Sequence, residues 1–184
     1  MGRDAARVDA VRSPDRANRP VPVPESVVCV DLDSTLCDTR HRRYLVRAPD
    51  DPQPTDWREY SLACADDPPI DGPIALVRLL ARAHKIVIVS ARDEAARDLT
   101  VEWLRRHEVP YDRLILYRSG VDDADIVAFK ATQIRRVRDD GAEVVLMVED
   151  APAVATALQA LGVTTLLVQP PAVDGEATAG APAR

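Results

Sequence analysis

Five short apolar runs punctuate the chain, at residues 27–31, 86–90, 114–117, 144–148 and 164–168. Val, Ile and Leu dominate them, without the polar alternation of a strand that has one face in water. They read as strands of a parallel sheet buried on both faces. Between them apolar residues recur at helical spacing over 73–83, 94–107, 126–138 and 153–161. Pro73 suits the first turn of its helix and Gly162 the stop of the last one. Alternating strands and helices predict an α/β fold, a doubly wound five-stranded parallel sheet with helices on both faces.

Residues 38–71 break the alternation. They hold Pro49, Pro52, Pro54, Pro68 and Pro69 and no strand-like run. The stretch 56–63 (DWREYSLA) suits a short helix capped by Asp56 or Thr55. A long irregular segment inside a compact domain is usually functional, so this one reads as a small cap inserted after the first strand. Residues 1–25, rich in Arg, Asp and Pro, and residues 170–184, rich in Pro, Ala and Gly, read as flexible tails. The domain itself is expected over 26–169.

Composition narrows the picture. The 184 residues suffice for one domain, and an apolar fraction of 46% excludes global disorder. A net charge of −6 argues against a general nucleic-acid coat protein but leaves a single nucleic-acid end open as a substrate. Cys29, Cys37 and Cys64 lack metal-site spacing and read as reduced thiols. No apolar run reaches the ~20 residues of a membrane span, and the first 20 residues hold no secretion signal. A cytoplasmic location is expected. Lys85 and Lys130 are the only lysines among 24 basic residues, which singles them out.

In open α/β sheets, ligands bind at the carboxyl ends of the strands. Here the first strand ends in Asp31-Leu32-Asp33-Ser34-Thr35, the second in Ser90 followed by Arg92, and the fourth in Glu149-Asp150. Four carboxylates gathered at one rim repel: a like-charge pair at ~4 Å costs about 1 kcal/mol in water and about 4 at intermediate dielectric. A set of oxygen donors without histidine or cysteine suits Mg²⁺, held by Asp31, Asp33, Glu149 and Asp150. Against such an ion Asp31 can attack phosphorus, and Asp33 can protonate the leaving oxygen and then deprotonate water. Ser90 and Lys130 can hold the phosphoryl oxygens. Each feature alone is commonplace in caps and turns; the ordered set at one rim carries the reading.

This constellation resembles the haloacid dehalogenase (HAD) superfamily of phosphotransferases, whose sheet is Rossmann-like. Asp31-Leu32-Asp33-Ser34-Thr35 is similar to its DxDGT motif, Ser90 to its second motif, Lys130 to its third, and Glu149-Asp150 to its acidic metal motif. The likeness covers about 27–168. It is nearest to phosphatase domains of the bacteriophage polynucleotide kinase–phosphatase type, through SARDEAARDLTVEWLRRHEVPYDRLILYRSG, DDADIVAFK and LMVEDAPAVATALQALGVTTLLV. The resemblance implies a phosphatase that forms an aspartyl-phosphate on Asp31, with Arg92 and Arg118 near the substrate phosphate and a nucleic-acid 3′ end as one substrate. Free nucleotides or another small phosphorylated metabolite are the alternative.

Two departures stand out. Ser34 occupies the motif's glycine position, and Ala151 follows the acidic pair where arginine is frequent. No GxxxxGK[ST] occurs, so no kinase domain is expected in this chain. Arg40-His41-Arg42-Arg43 offers charge to a phosphate-rich substrate. Asp56, Trp57 and Tyr60 could meet a base, whereas Trp103 reads as core. A signalling receiver would place its acidic pair and phosphorylated Asp in a different strand order.

Overall fold

The computed structural model describes residues 25–122 and 125–169; the expected tails, Glu25 apart, lie outside the described residues. Five parallel strands, β1 (Ser26–Val30), β2 (Lys85–Asp93), β3 (Arg113–Tyr117), β4 (Glu143–Glu149) and β5 (Thr165–Leu167), form one sheet in the order β3-β2-β1-β4-β5. The helices are α1 (Trp57–Leu62), α2 (Asp71–Leu80), α3 (Arg97–Arg106), α4 (Ile126–Asp139) and α5 (Pro152–Ala160).

The apolar runs explain the layers. Side chains alternate between the faces of a strand, and here both faces are covered. Val27, Cys29, Val87, Val89 and Met147 pack with Phe129, Ile134, Val137, Val154 and Leu158 of α4 and α5. Val28, Val30, Ile86, Ile88 and Val148 pack with Ile74, Val77, Trp103 and Leu104 of α2 and α3. A strand between two cores has no position to give to water. The chain builds outward from β1 to β3, then returns through α4 to β4 on the other side of β1. The switch point therefore falls between β1 and β4, where a ligand crevice belongs.

Local signals land close to their expected places. Pro73 lies in the first turn of α2, and Gly162 follows α5 with φ 72°. The run 86–90 lengthens to Lys85–Asp93: beyond Ser90 the register with β3 shifts, and Asp93 pairs with Tyr117. Asp93 then accepts from the Ala95 amide at 2.8 Å and starts a 3-10 turn, Glu94–Ala96, ahead of α3. The three cysteines are free and buried. No helix among the described residues is long and apolar enough to cross a membrane.

The insert after β1 carries a 3-10 helix, Arg40–Leu45, then α1, then a second 3-10 turn, Ala63–Asp66. Asp56 caps α1, accepting from the amides of Arg58 and Glu59 at 3.0 Å each; Thr55 instead accepts from the Arg47 amide. Trp103, buried as expected, donates its indole N–H to the Asp67 carbonyl at 2.7 Å. Ser61 Oγ accepts from the Asp93 amide at 2.9 Å, a second tie between insert and sheet. Trp103→Ala should therefore cost about 3–5 kcal/mol, measured as a lower urea midpoint at unchanged slope.

Candidate active site

Asp31 follows β1 directly. Its amide donates to the Val148 carbonyl at 2.9 Å, so β1 and β4 remain joined to their last residues and the two acidic segments emerge side by side. Asp125 caps α4 through the amides of Val127 and Ala128, which fixes the helix that carries Lys130. The buried Lys130 ammonium lies 2.8 Å from Asp31 Oδ1 and donates to Glu149 Oε2 at 2.6 Å. Thr35 Oγ1 lies 3.2 Å from Asp31 Oδ2 and 3.4 Å from Asp150 Oδ1. One carboxylate oxygen each from Asp31, Glu149 and Asp150 fall within 4.8 Å of one another.

One ammonium does not balance three carboxylates. Burial first, then repulsion from Glu149 and Asp33 against the pull of Lys130, pushes Asp31 up to about 7. Burial and the charges of Asp31 and Glu149 push Asp150 up to about 8. Burial opposes the Lys130 charge, yet Asp31 and Glu149 outweigh it and hold the ammonium well above its usual range. This is a hard, oxygen-only donor set short of positive charge, which suits a divalent cation.

Asp33 belongs to a separate arrangement. It was expected among the metal ligands, but its carboxylate turns toward two buried arginines instead. Arg42 donates to Asp33 Oδ1 at 2.9 Å, and Arg92 donates to the same oxygen. Both guanidiniums also bind Asp67, Arg42 through two bonds of 2.8 Å and Arg92 at 2.9 Å. His41 contacts Asp67 at 2.8 Å, and the Arg42 guanidinium lies 4.1 Å over the Tyr60 ring. Burial opposes ionisation of Asp33, but Arg92 and Arg42 outweigh it and hold the carboxyl well below the usual range. The side chain remains 24% exposed, toward the cavity.

Immediately after Asp33, Ser34 takes φ 63°, the left-handed conformation that favours glycine. Such a conformation costs a non-glycine residue roughly 1–2 kcal/mol. Hydrogen bonds from its amide to the Cys37 carbonyl, 2.8 Å, and between its hydroxyl and Thr39, 3.0 Å, offset part of that.

Asp31, Asp33, Ser90, Lys130, Glu149 and Asp150 all line one cavity of about 100 Å³. At ~10–15 Å³ per water-sized sphere, it has room for a hydrated ion and a phosphoryl group. Arg92 and Arg118 do not line it. Arg92 is enclosed in the clamp on Asp33, and Arg118 is exposed and bound to Asp122. The basic run 40–43 also divides: Arg40 pairs with Asp38, His41 and Arg42 join Asp67, and Arg43 alone lines the cavity. Asp67 escaped the sequence reading because each of its arginines is 25 residues away, too far for any local spacing to signal. Trp57 and Tyr60 border the cavity; Asp56 is spent on its cap.

Removing one partner of a buried ion pair typically costs 3–5 kcal/mol. Asp67→Asn should lose about that much in chemical denaturation. Asp31 and Asp150 bind protons more tightly folded than unfolded, since their unfolded value is about 4. With EDTA present, stability should fall as pH rises from 5 to 8.5, and added Mg²⁺ should raise Tm more at pH 8.5 than at pH 5. Asp33 contributes with the opposite sign, in a window below pH 4. A flat Tm difference across that range would contradict the charge deficit.

Residues 16–152 match the family model of HAD superfamily subfamily IIIB, the acid phosphatases. No curated protein matches the chain. Among solved structures, a chain of the Pnkp1/Rnl/Hen1 complex superposes with a TM-score of 0.62 at 19% identity, covering 79% of this chain and 46% of that one. This protein thus spans just under half of that relative's length. The class C acid phosphatase from Bacillus anthracis gives 0.58 at 16% identity, covering 80% and 67%. An L-2-haloacid dehalogenase gives 0.60 at 13% identity, covering 84% and 89%. These structural likenesses support the fold, and the sequence match, spanning most of the chain, supports the chemistry. The chain belongs to the HAD superfamily, subfamily IIIB (acid phosphatase).

Proposed function

We propose that the protein is a Mg²⁺-dependent phosphatase that works through an aspartyl-phosphate on Asp31, with residues 26–169 as its domain and 38–71 as its cap. The observation that carries this reading is the cluster of Asp31, Glu149 and Asp150 around a single lysine. Glu149 has both oxygens engaged, one by Lys130 and the other by the Ala151 amide at 3.1 Å. That leaves Asp31 and Asp150 to hold the ion, with Glu149 fixing the lysine. When bound, Mg²⁺ supplies positive charge to the carboxylates and to the phosphoryl oxygens.

The chain's own residues then divide the work. An Asp31 carboxylate oxygen attacks phosphorus, and the P–O bond to the leaving group breaks. Lys130 and Ser90 balance the charge on the phosphoryl oxygens. Asp33 gives a proton to the leaving oxygen. Its arginine clamp keeps it ionised at rest, so that proton is taken up with the substrate: the arriving phosphoryl anion opposes the clamp, and Asp33 takes a proton from solvent before the bond to the leaving oxygen breaks. Once the product alcohol has left, Asp33 takes a proton from water, whose oxygen attacks phosphorus. The acyl-phosphate P–O bond breaks, releasing inorganic phosphate and restoring the Asp31 carboxylate.

The substrate reading is a nucleic-acid 3′-phosphate end. It draws on the phage-type motif and on the fold shared with a chain of the Pnkp1/Rnl/Hen1 complex, described as an RNA repair complex. A free nucleotide or small phosphorylated metabolite is the second reading, favoured by the likeness to a class C acid phosphatase. Asp31→Asn should lower kcat by at least about 10³-fold with the fold intact by circular dichroism. EDTA should silence the wild type and Mg²⁺ restore it. Retained turnover in the variant, or indifference to chelation, would remove Asp31 or the ion from the scheme.

A further inference from the structure

The cavity wall has two chemically different halves. At the strand ends lie the carboxylates, Ser90 and Lys130; on the insert side lie Arg43, Val46, Trp57 and Tyr60. A phosphoryl group attached by Asp31 occupies the first half, so its leaving group must rest against the second. Only two cations line the cavity among the described residues. Lys130 is committed to Asp31 and Glu149, whereas Arg43 is exposed and has no ion pair or side-chain hydrogen bond among the described residues. Its neighbours in the run do not share that freedom: Arg40, Arg42 and Arg47 each face an aspartate.

A guanidinium beside apolar and aromatic side chains is well suited to a phosphate oxygen pair, which it can grip through two parallel bonds. Trp57 and Tyr60 meet edge to face, with ring centroids 5.6 Å apart, and line this side of the cavity with aromatic surface. We infer that Arg43 is a specificity-determining residue that binds a second anionic group on the leaving group, so that the substrate is a nucleoside phosphomonoester carrying a further phosphate. That chemistry is met by a nucleoside 3′,5′-bisphosphate and by a 3′-phosphorylated strand end, whose next phosphodiester supplies the second charge. The inference rests on the hydrolase reading of the same site.

The test compares kcat/KM for p-nitrophenyl phosphate, a nucleoside 3′-monophosphate, the corresponding 3′,5′-bisphosphate and a short 3′-phosphorylated oligonucleotide. Wild type should favour at least one of the last two over the monophosphate by about tenfold or more, mainly through KM, and which one is favoured identifies the source of the second phosphate. Arg43→Gln should collapse that ratio, losing far more on the doubly charged substrate than on the monophosphate. Arg43→Lys should restore part of it. Arg47→Gln, whose residue does not line the cavity, should leave the ratio unchanged. Equal losses on all substrates in Arg43→Gln, or no preference in wild type, overturns the role of Arg43 while leaving the phosphatase intact. No turnover of any ester, p-nitrophenyl phosphate included, overturns the hydrolase reading and this inference with it.

Discussion

The architecture depends on an unfavourable interaction held in place: three carboxylates brought together at the ends of β1 and β4 with one ammonium among them. Nothing in the packing of the sheet requires acids there. The hydrogen bond from the Asp31 amide to Val148 forces the two segments to leave the sheet side by side. Lys130, anchored by a capped helix, keeps the arrangement from flying apart without neutralising it. The remaining deficit is what gives the site an appetite for a divalent cation and, beyond it, for phosphate.

The second feature is the opposite treatment of two aspartates only two positions apart. Asp31 is driven toward protonation by burial and by other acids, while Asp33 is driven toward ionisation by Arg42 and Arg92. Divergent environments for paired carboxyls are the usual way one fold assigns different roles to the same residue type. The chain turns immediately after Asp33, through Ser34 in the left-handed region, and runs on into the insert that supplies Arg42 and Asp67. Asp67, at the end of the insert, binds both arginines, so the insert takes part in setting the charge state of Asp33 as well as walling the cavity.

Much of this was legible in the chain itself. Strands buried on both faces leave continuous apolar runs, and these located the sheet; Pro73, Gly162 and Asp56 placed helix ends through purely local chemistry. The residues at strand ends were legible for the same reason, because topology sends them to one rim. What escaped were interactions between distant positions. The family resemblance implied a place near the substrate phosphate for Arg92, yet Asp33 and Asp67, from elsewhere in the chain, enclose it. The 3-10 helix at Arg40–Leu45 lacks the periodicity that announces a longer helix, so its basic run gave no hint that Arg42 would be buried and Arg43 exposed.

The central claim, that the acid cluster presents phosphorus to Asp31, is tested most directly by trapping the covalent species. Enzyme turning over a phosphomonoester with Mg²⁺ is quenched in acid, reduced with borohydride and analysed by peptide mass spectrometry. The account predicts a substrate-dependent conversion of the side chain at position 31 to its reduced alcohol, and at no other acid. Reduction at Asp33, Glu149 or Asp150 instead, or active enzyme that never yields a modified peptide, would contradict it.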